Sequence, residues 1–281
     1  MSINEKALLV KMSIGQWYNQ ISDKKIAKEI AIQHNVIEHT QNRYLKRLLD
    51  NVALHGVRTQ ISGLREYHNA KTLPWKEDGV RILPSANFME YQKTIARLRS
   101  LFEQEVKLFV AKYPTWVQQA QANMGSLFSS DDYPTADEIK DKFTLEVSTM
   151  PFPSENDFRI DIDNTAMEEL RATTAQQIRT ALQDATNSVR LRVLERVKLL
   201  HKALANPQKV FRDDTFYAVL SVAEDARQLN LTDDMDLTLL LNKIDFLKNY
   251  TPKMLRSNIH SAIPRQAVSD RLHEILLSYP S

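Results

Sequence analysis

TAMEELRATTAQQIRTALQDATNSVRLRVLERVKLLHKAL, residues 165 to 204, contains neither glycine nor proline, and the next helix breaker is Pro207. Ile178 and Val189, Leu182 and Val193, Val189 and Leu200, and Val193 and Leu204 each stand eleven residues apart. An eleven-residue repeat keeps an apolar seam on one side of a straight or slightly right-handed helix. At about 1.5 Å per residue the stretch predicts a rod of roughly 60 Å. Such a rod needs other helices along its seam, and that requirement sets the class of the fold.

Composition points the same way. The 281 residues are 43% hydrophobic and hold only 5 glycines. That is enough apolar side chain for one large or two modest cores, and too little glycine to favour a glycine-dependent nucleotide fold. There is no cysteine, which excludes disulfides, thiolate nucleophiles and cysteine-ligated zinc or iron and suits a reducing compartment. The apolar run within MSINEKALLVKMSIGQWYN falls short of the roughly 20 residues of a membrane span, and no A-x-A cleavage pattern follows it. The expectation is a cytoplasmic protein of the host cell, with no membrane partner, no metal and no cofactor.

Working outward from the rod, Leu8, Val10, Met12 and Ile14 alternate as in a strand with one buried face. FTLEVST (143–149) and FRIDID (158–163) alternate around MPFPSEND and predict a hairpin. Helices are expected from Ser22 as cap, from about Thr40 to Tyr67 with a possible break at Gly56, and from Ser85 as cap to Pro114, where a second helix begins at TWVQQAQANM. Thr135 and Glu138 form a capping-box pattern. After the rod, caps at Asp213 or Asp214 and at Thr232, and prolines at 252 and 264, mark the remaining helices. The predicted fold is α+β and predominantly α-helical. A small antiparallel sheet, made of the N-terminal strand and the hairpin near 143–163, belongs to residues 1–164; the long helix and a C-terminal bundle make up 165–281.

Charge is unevenly spread. Residues 1–84 carry thirteen Lys and Arg against eight Asp and Glu, residues 85–164 carry eight against thirteen, and the net +2 of the whole chain hides this division. Between 189 and 212, seven basic residues face one glutamate. Arg190, Arg192, Arg196, Lys198 and Lys202 could track a phosphate backbone, and Arg43, Lys46 and Arg47 around Tyr44 could add a stacking surface; equally, they could be a helix flank that complements the acidic middle segment. Asp157, Asp161 and Asp163 could hold a divalent cation in a nuclease, or Asp163 could simply cap the long helix. Asp131 and Asp132 lack the glycine and distal glutamate of a calcium loop. The seven histidines show no HExxH pattern, and no G-x-S-x-G or phosphate-cradling loop occurs. TLPWKEDGVRILP (72–84) reads as a rigid corner, with Trp75 and Ile82 packed inward and Lys76 and Arg81 free for a partner.

The runs TLPWKEDGVRILPSANFMEY, VKLFVAKYP, MGSLFSSDDYPT and MPFPSENDFRID together resemble a family of phage and mobile-element proteins that carry a domain of unknown function. The resemblance covers about residues 22–165 and is anchored on Leu73, Pro74, Trp75, Gly79, Arg81, Tyr113, Pro114, Asp132, Tyr133, Pro134, Asp157, Phe158 and Arg159. It implies no catalytic residue. Family members are similar in lying near genes for recombination proteins and MoxR-type AAA+ ATPases. The expected function is therefore non-enzymatic: self-assembly and binding of single-stranded or duplex nucleic acid in replication, recombination or genome protection. An adaptor for a MoxR-type ATPase is the alternative, and a metal-dependent nuclease the third.

Overall fold

A computed structural model describes residues 3–36, 43–75, 79–154, 163–206, 211–256 and 262–279. In chain order the elements are α1 (Ile3–Lys6), β1 (Ala7–Ile14), β2 (Gln20–Ser22), α2 (Lys24–Gln33), β3 (Leu45–Arg47), α3 (His55–Lys71), β4 (Leu73–Pro74), β5 (Val80–Pro84), α4 (Phe88–Met124), α5 (Ala136–Lys140), β6 (Leu145–Pro151), α6 (Asn164–Leu204), α7 (Asp213–Gln228), α8 (Met235–Ile244), α9 (Pro252–Leu255) and α10 (Ala262–Ser278). The fold is α+β and mostly helical, as the sequence predicts. The chain divides into two compact units, one formed by Met1–Lys11, Tyr67–Tyr91 and Ser148–Ser281, the other by Met12–Glu66 and Gln92–Val147. Neither unit is one stretch of chain.

In the first unit, Asp163 starts the rod: its carboxylate accepts the Ala166 amide at 3.0 Å, satisfying one of the free donors of the first turn. The eleven-residue seam is buried as expected, with Val193 and Leu200 fully enclosed. It packs along α7 and α10, and its middle meets β4. The four-stranded sheet has the order β4-β5-β1-β6. β5 pairs antiparallel with β1 from Ala7↔Pro84 to Lys11↔Val80. Because β1 is an inner strand, Ala7, Leu9 and Val10 are all buried, so both of its faces are covered where one was expected.

The sheet also corrects the reading of residues 72–84. TLPWKEDGVRILP is not a corner alone: Val80, Ile82 and Leu83 are buried along β5, and Leu73 pairs opposite Ile82. Pro74 is tolerated because β4 is the edge strand, where a missing amide costs no ladder bond. Gly79 takes a φ of 80° at the turn, a conformation that side chains with a Cβ avoid. Of the expected hairpin, β6 is present; its partner, 158–162, lies outside the described residues.

In the second unit, β2 and β3 form a short antiparallel ladder, Gln20↔Arg47 to Ser22↔Leu45. The expected helix from Thr40 is therefore wrong over 45–47, and α3 begins only at His55 after Asp50 accepts the Val52 amide at 3.0 Å. Gly56 lies within α3 and does not break it; the Glu105 side chain occupies the space a Cβ would need, which suits a glycine there. Pro114 does not end a helix either: α4 runs through it. A proline inside a helix costs about 3 kcal/mol, but Phe102, Val106, Phe109, Tyr113 and Ala120 are all buried on one face. Tyr113 also meets Trp17 edge-on at 6.1 Å. Burial on both sides of the proline offsets the local defect.

The capping box at Thr135 and Glu138 is present, with both hydrogen bonds made. Other expected caps shift by a residue or two. Asp23 caps α2 and Asp234 caps α8; α7 begins after Arg212 without a side-chain cap. The Ser85 hydroxyl donates to the Glu5 carbonyl at 3.0 Å rather than capping α4.

Candidate functional site

The basic run on α6 is divided by its partners. The Arg190 guanidinium lies 3.3 Å from Asp234 and 3.9 Å from Asp236, at the N-terminal end of α8. Arg192 donates to the Asn69 carbonyl at 2.6 Å, and burial lowers its pKa although Asp225 opposes the shift. Both are engaged within the first unit. Arg196, Lys198 and Lys202 are exposed and have no side-chain partner among the described residues.

Arg81, expected to be free, is also engaged. Its Nε donates to the Thr72 hydroxyl at 2.6 Å and its Nη2 to the Thr72 carbonyl at 3.0 Å. Burial, reinforced by Arg192, depresses its pKa to about 10. Thr72 in turn donates to the His68 carbonyl at 2.5 Å, and His68 Nδ1 sits 2.7 Å from the Tyr91 hydroxyl. Burial, then the charge of Arg81, lowers the His68 pKa to about 4 and burial raises that of Tyr91. Arg81 and Arg192 thus close the C-terminal end of α3, where two cations meet carbonyl groups at the negative end of the helix. No sequence motif announces this network. Trp75 packs on Phe152 with ring centroids 5.0 Å apart and lines a groove of 680 Å³ with Pro74 and with Gln176, Thr180 and Asp184 of α6. Lys76 lies outside the described residues.

The Arg43–Arg47 cluster is reorganised by its strand. Successive residues of a strand face opposite ways, so within β3 Leu45 and Arg47 are exposed while Lys46 is 4% exposed, and Arg43, two residues before the strand, is exposed as well. Lys46 forms an ion pair with Asp132, lies 3.7 Å from Asp23, and donates to the Leu127 carbonyl at 2.9 Å. It joins α2, β3 and the loop before α5.

Beside the exposed face of β3 runs a groove of 480 Å³. Trp116, Gln119, Asn123 and Met124 of α4 line it together with Arg47, Asp50, Asn51 and Val52, and the buried Leu48, Leu49 and Ala120 are its floor. Tyr133 donates to the Leu48 carbonyl at 2.9 Å. Asn19, 1% exposed and at a φ of 54°, exchanges two hydrogen bonds with the Leu49 backbone at 2.8 and 2.7 Å. The floor is therefore fixed from beneath. Arg47, Gln119 and Asn123 have no side-chain partner among the described residues. This site was missed by the sequence reading; the one available signal was the spacing of polar residues after Trp116 in WVQQAQANM.

Asp157 and Asp161 lie outside the described residues, and the Asp163 carboxylate is the cap of α6. Among the described residues no group of three or more His, Asp or Glu is placed to hold a metal ion, and no helix is long and apolar enough to cross a membrane. Comparison with protein-family models, with curated proteins and with solved structures gives no match.

Proposed function

We propose that this chain is a non-enzymatic nucleic-acid-binding protein of a phage or mobile element. Its working place would be the host cytoplasm, in replication, recombination or genome protection. The observation that carries the reading is the exposed run through β3, where Arg47 of the strand and Arg43, two residues before it, flank Leu45, which is 52% exposed, without intramolecular counter-charges among the described residues. Lys198 and Lys202, and on another face of the helix Arg196, supply further exposed cations on α6. Lys46, Arg190 and Arg192 are dropped from the contact surface because their charges are already compensated or enclosed.

Each cation that contacts a phosphate adds about 0.7 to 0.9 to the slope of log affinity against log salt. Fluorescence anisotropy with a labelled oligonucleotide therefore tests the reading directly. Replacing Arg43 and Arg47 by alanine should lower the slope by about 1.4 to 1.8, two contacts' worth. Absence of binding to either a single strand or a duplex at about 50 mM salt, where this attraction is strong, would refute the proposal.

Self-assembly is the second part of the reading, and the Trp75 groove supports it. A tryptophan beside an open groove is the kind of anchor that dominates protein contacts. Light scattering of the purified chain should report an oligomer that Trp75→Ala weakens; a strict monomer removes this part. In the adaptor reading the same groove would receive a MoxR-type AAA+ ATPase, and co-purification with an ATPase but indifference to DNA would favour it.

A further inference from the structure

We infer that the groove between β3 and α4 takes an unstacked base of a single nucleic-acid strand, with the neighbouring phosphate held by Arg47. The inference rests on the nucleic-acid reading above and names its ligand more narrowly. A nucleobase presents two apolar faces, an edge of donors and acceptors, and a nearby anion. The groove offers a counterpart to each. The half-buried Trp116 and the apolar floor of Leu48, Leu49 and Ala120 suit the face of a base. Gln119 and Asn123 each carry an amide with both donor and acceptor and no other partner among the described residues, which suits its edge. Arg47 and Asp50 both line the groove; the Asp50 carboxylate accepts the Val52 amide at 3.0 Å, whereas Arg47 has no side-chain partner among the described residues and is the group left to meet a phosphate.

The volume of 480 Å³ falls in the range of about 300 to 1,000 Å³ common to small-ligand sites. The floor is held by Asn19 and Tyr133, so it need not be ordered on binding, which lowers the entropic cost of association. In a duplex, every base is already stacked on both faces and paired along its edge. A single strand surrenders one to Trp116 without the cost of unpairing that a duplex must meet. Because every base has an aromatic face and the amides can both donate and accept, the site should tolerate many sequences while preferring single strands to duplex.

The test uses the full chain, oligo(dT), oligo(U) and a duplex of equal length, read by anisotropy and by intrinsic tryptophan emission. The oligo(dT) and oligo(U) arms separate DNA from RNA as the source of the strand. The single strand should bind at least tenfold more tightly than the duplex and quench emission. The chain holds 3 tryptophans, so Trp116→Phe assigns the signal: it should retain most of the affinity and lose most of the quenching. Trp116→Ala should weaken single-strand binding by roughly five- to 150-fold, the stacking contribution of one base, and duplex binding little. Asn123→Ala, at an exposed position with no partner to lose, should weaken the single strand selectively with an unchanged circular dichroism spectrum. If single strand and duplex bind equally, with unaltered emission and no effect of Trp116→Ala, the groove is not the site while the cationic reading survives. If neither binds at low salt, both readings fall.

Discussion

Lys46→Met separates a structural cation from a contact cation. In the folded chain the Lys46 side chain is 5% exposed and faces Asp132 and Asp23, whose side chains are 20% and 18% exposed. Methionine fills much the same space, but it strands those carboxylates and the Leu127 carbonyl. Removing one partner of a buried ion pair costs about 3 to 5 kcal/mol. Asp23 keeps the amides of Lys25 and Ile26 at 3.0 and 3.2 Å, of which the Ile26 bond is the largest cause of its lowered pKa. Most of the penalty therefore falls on Asp132, and the lower end, about 3 kcal/mol, is expected. Urea titration followed by circular dichroism measures it. The double variant Lys46→Met with Asp132→Asn should recover part of the loss, because the stranded charge is gone. The salt slope of oligonucleotide binding, measured under conditions where the variant is folded, should be unchanged. A variant within about 0.5 kcal/mol of the parent, the range of ordinary surface changes, with a slope reduced by one contact, would show that Lys46 faces phosphate and that the buried triad is misread.

Two other predictions concern stability alone. His68 titrates near 4 in the folded chain against 6.5 for a free histidine, so between these values the unfolded chain binds the proton first. Its contribution is complete above about pH 6.5 and is lost as pH falls toward 4, amounting to about 3 kcal/mol. Urea titrations at several pH values should show this loss in the parent and a shallower one in His68→Gln; equal pH dependence in both would remove the assignment. At Gly15, an added Cβ would collide with the Thr144 hydroxyl and lie 3.1 Å from the Lys142 carbonyl, beside the backbone bonds that Gly15 and Thr144 exchange at 2.9 and 3.3 Å. Gly15→Ala should destabilise by about 1 to 3 kcal/mol, whereas Gly63→Ala, within α3 with nothing inside 4 Å, should stabilise by about 0.5 to 1 kcal/mol. The same sign for both would contradict the contacts at Gly15.

The parts of the fold that could be read from sequence were those fixed by local periodicity. The eleven-residue seam predicted α6 to within a residue, because a helix of that length is specified by its own apolar spacing. The capping box at Thr135 was equally local. The parts that could not be read depend on residues far apart in the chain. Pro114 looks like a terminus until Tyr113 is seen packed on Trp17, almost a hundred positions earlier. β5 looks like a turn until its partner β1 is known. Both compact units are assembled from separated segments, and no composition shift marks such a division.

Charge clusters fail for a more specific reason: membership depends on the period of the element that carries them. At about 100° per residue, Arg192 and Arg196 fall roughly 40° apart, as do Lys198 and Lys202, but the two pairs stand roughly 120° from one another. The run on α6 was never a single stripe, and its phase could have been read from the sequence. For residues 43 to 47 the error ran the other way. A helical period groups Arg43, Lys46 and Arg47, three and four apart, into one basic face. The period of two observed in β3 groups Leu45 and Arg47 instead, with Arg43 exposed just before the strand, and sends Lys46 to the opposite side, into contact with Asp132 and Asp23. The same three cations would make one basic face in one secondary structure and, in the other, are two exposed cations and an internal staple. Only the pairing of Lys46 with Ile21 across the ladder decides between them, which is why salt dependence at Arg43 and Arg47 and unfolding free energy at Lys46 are the measurements that separate binding from folding.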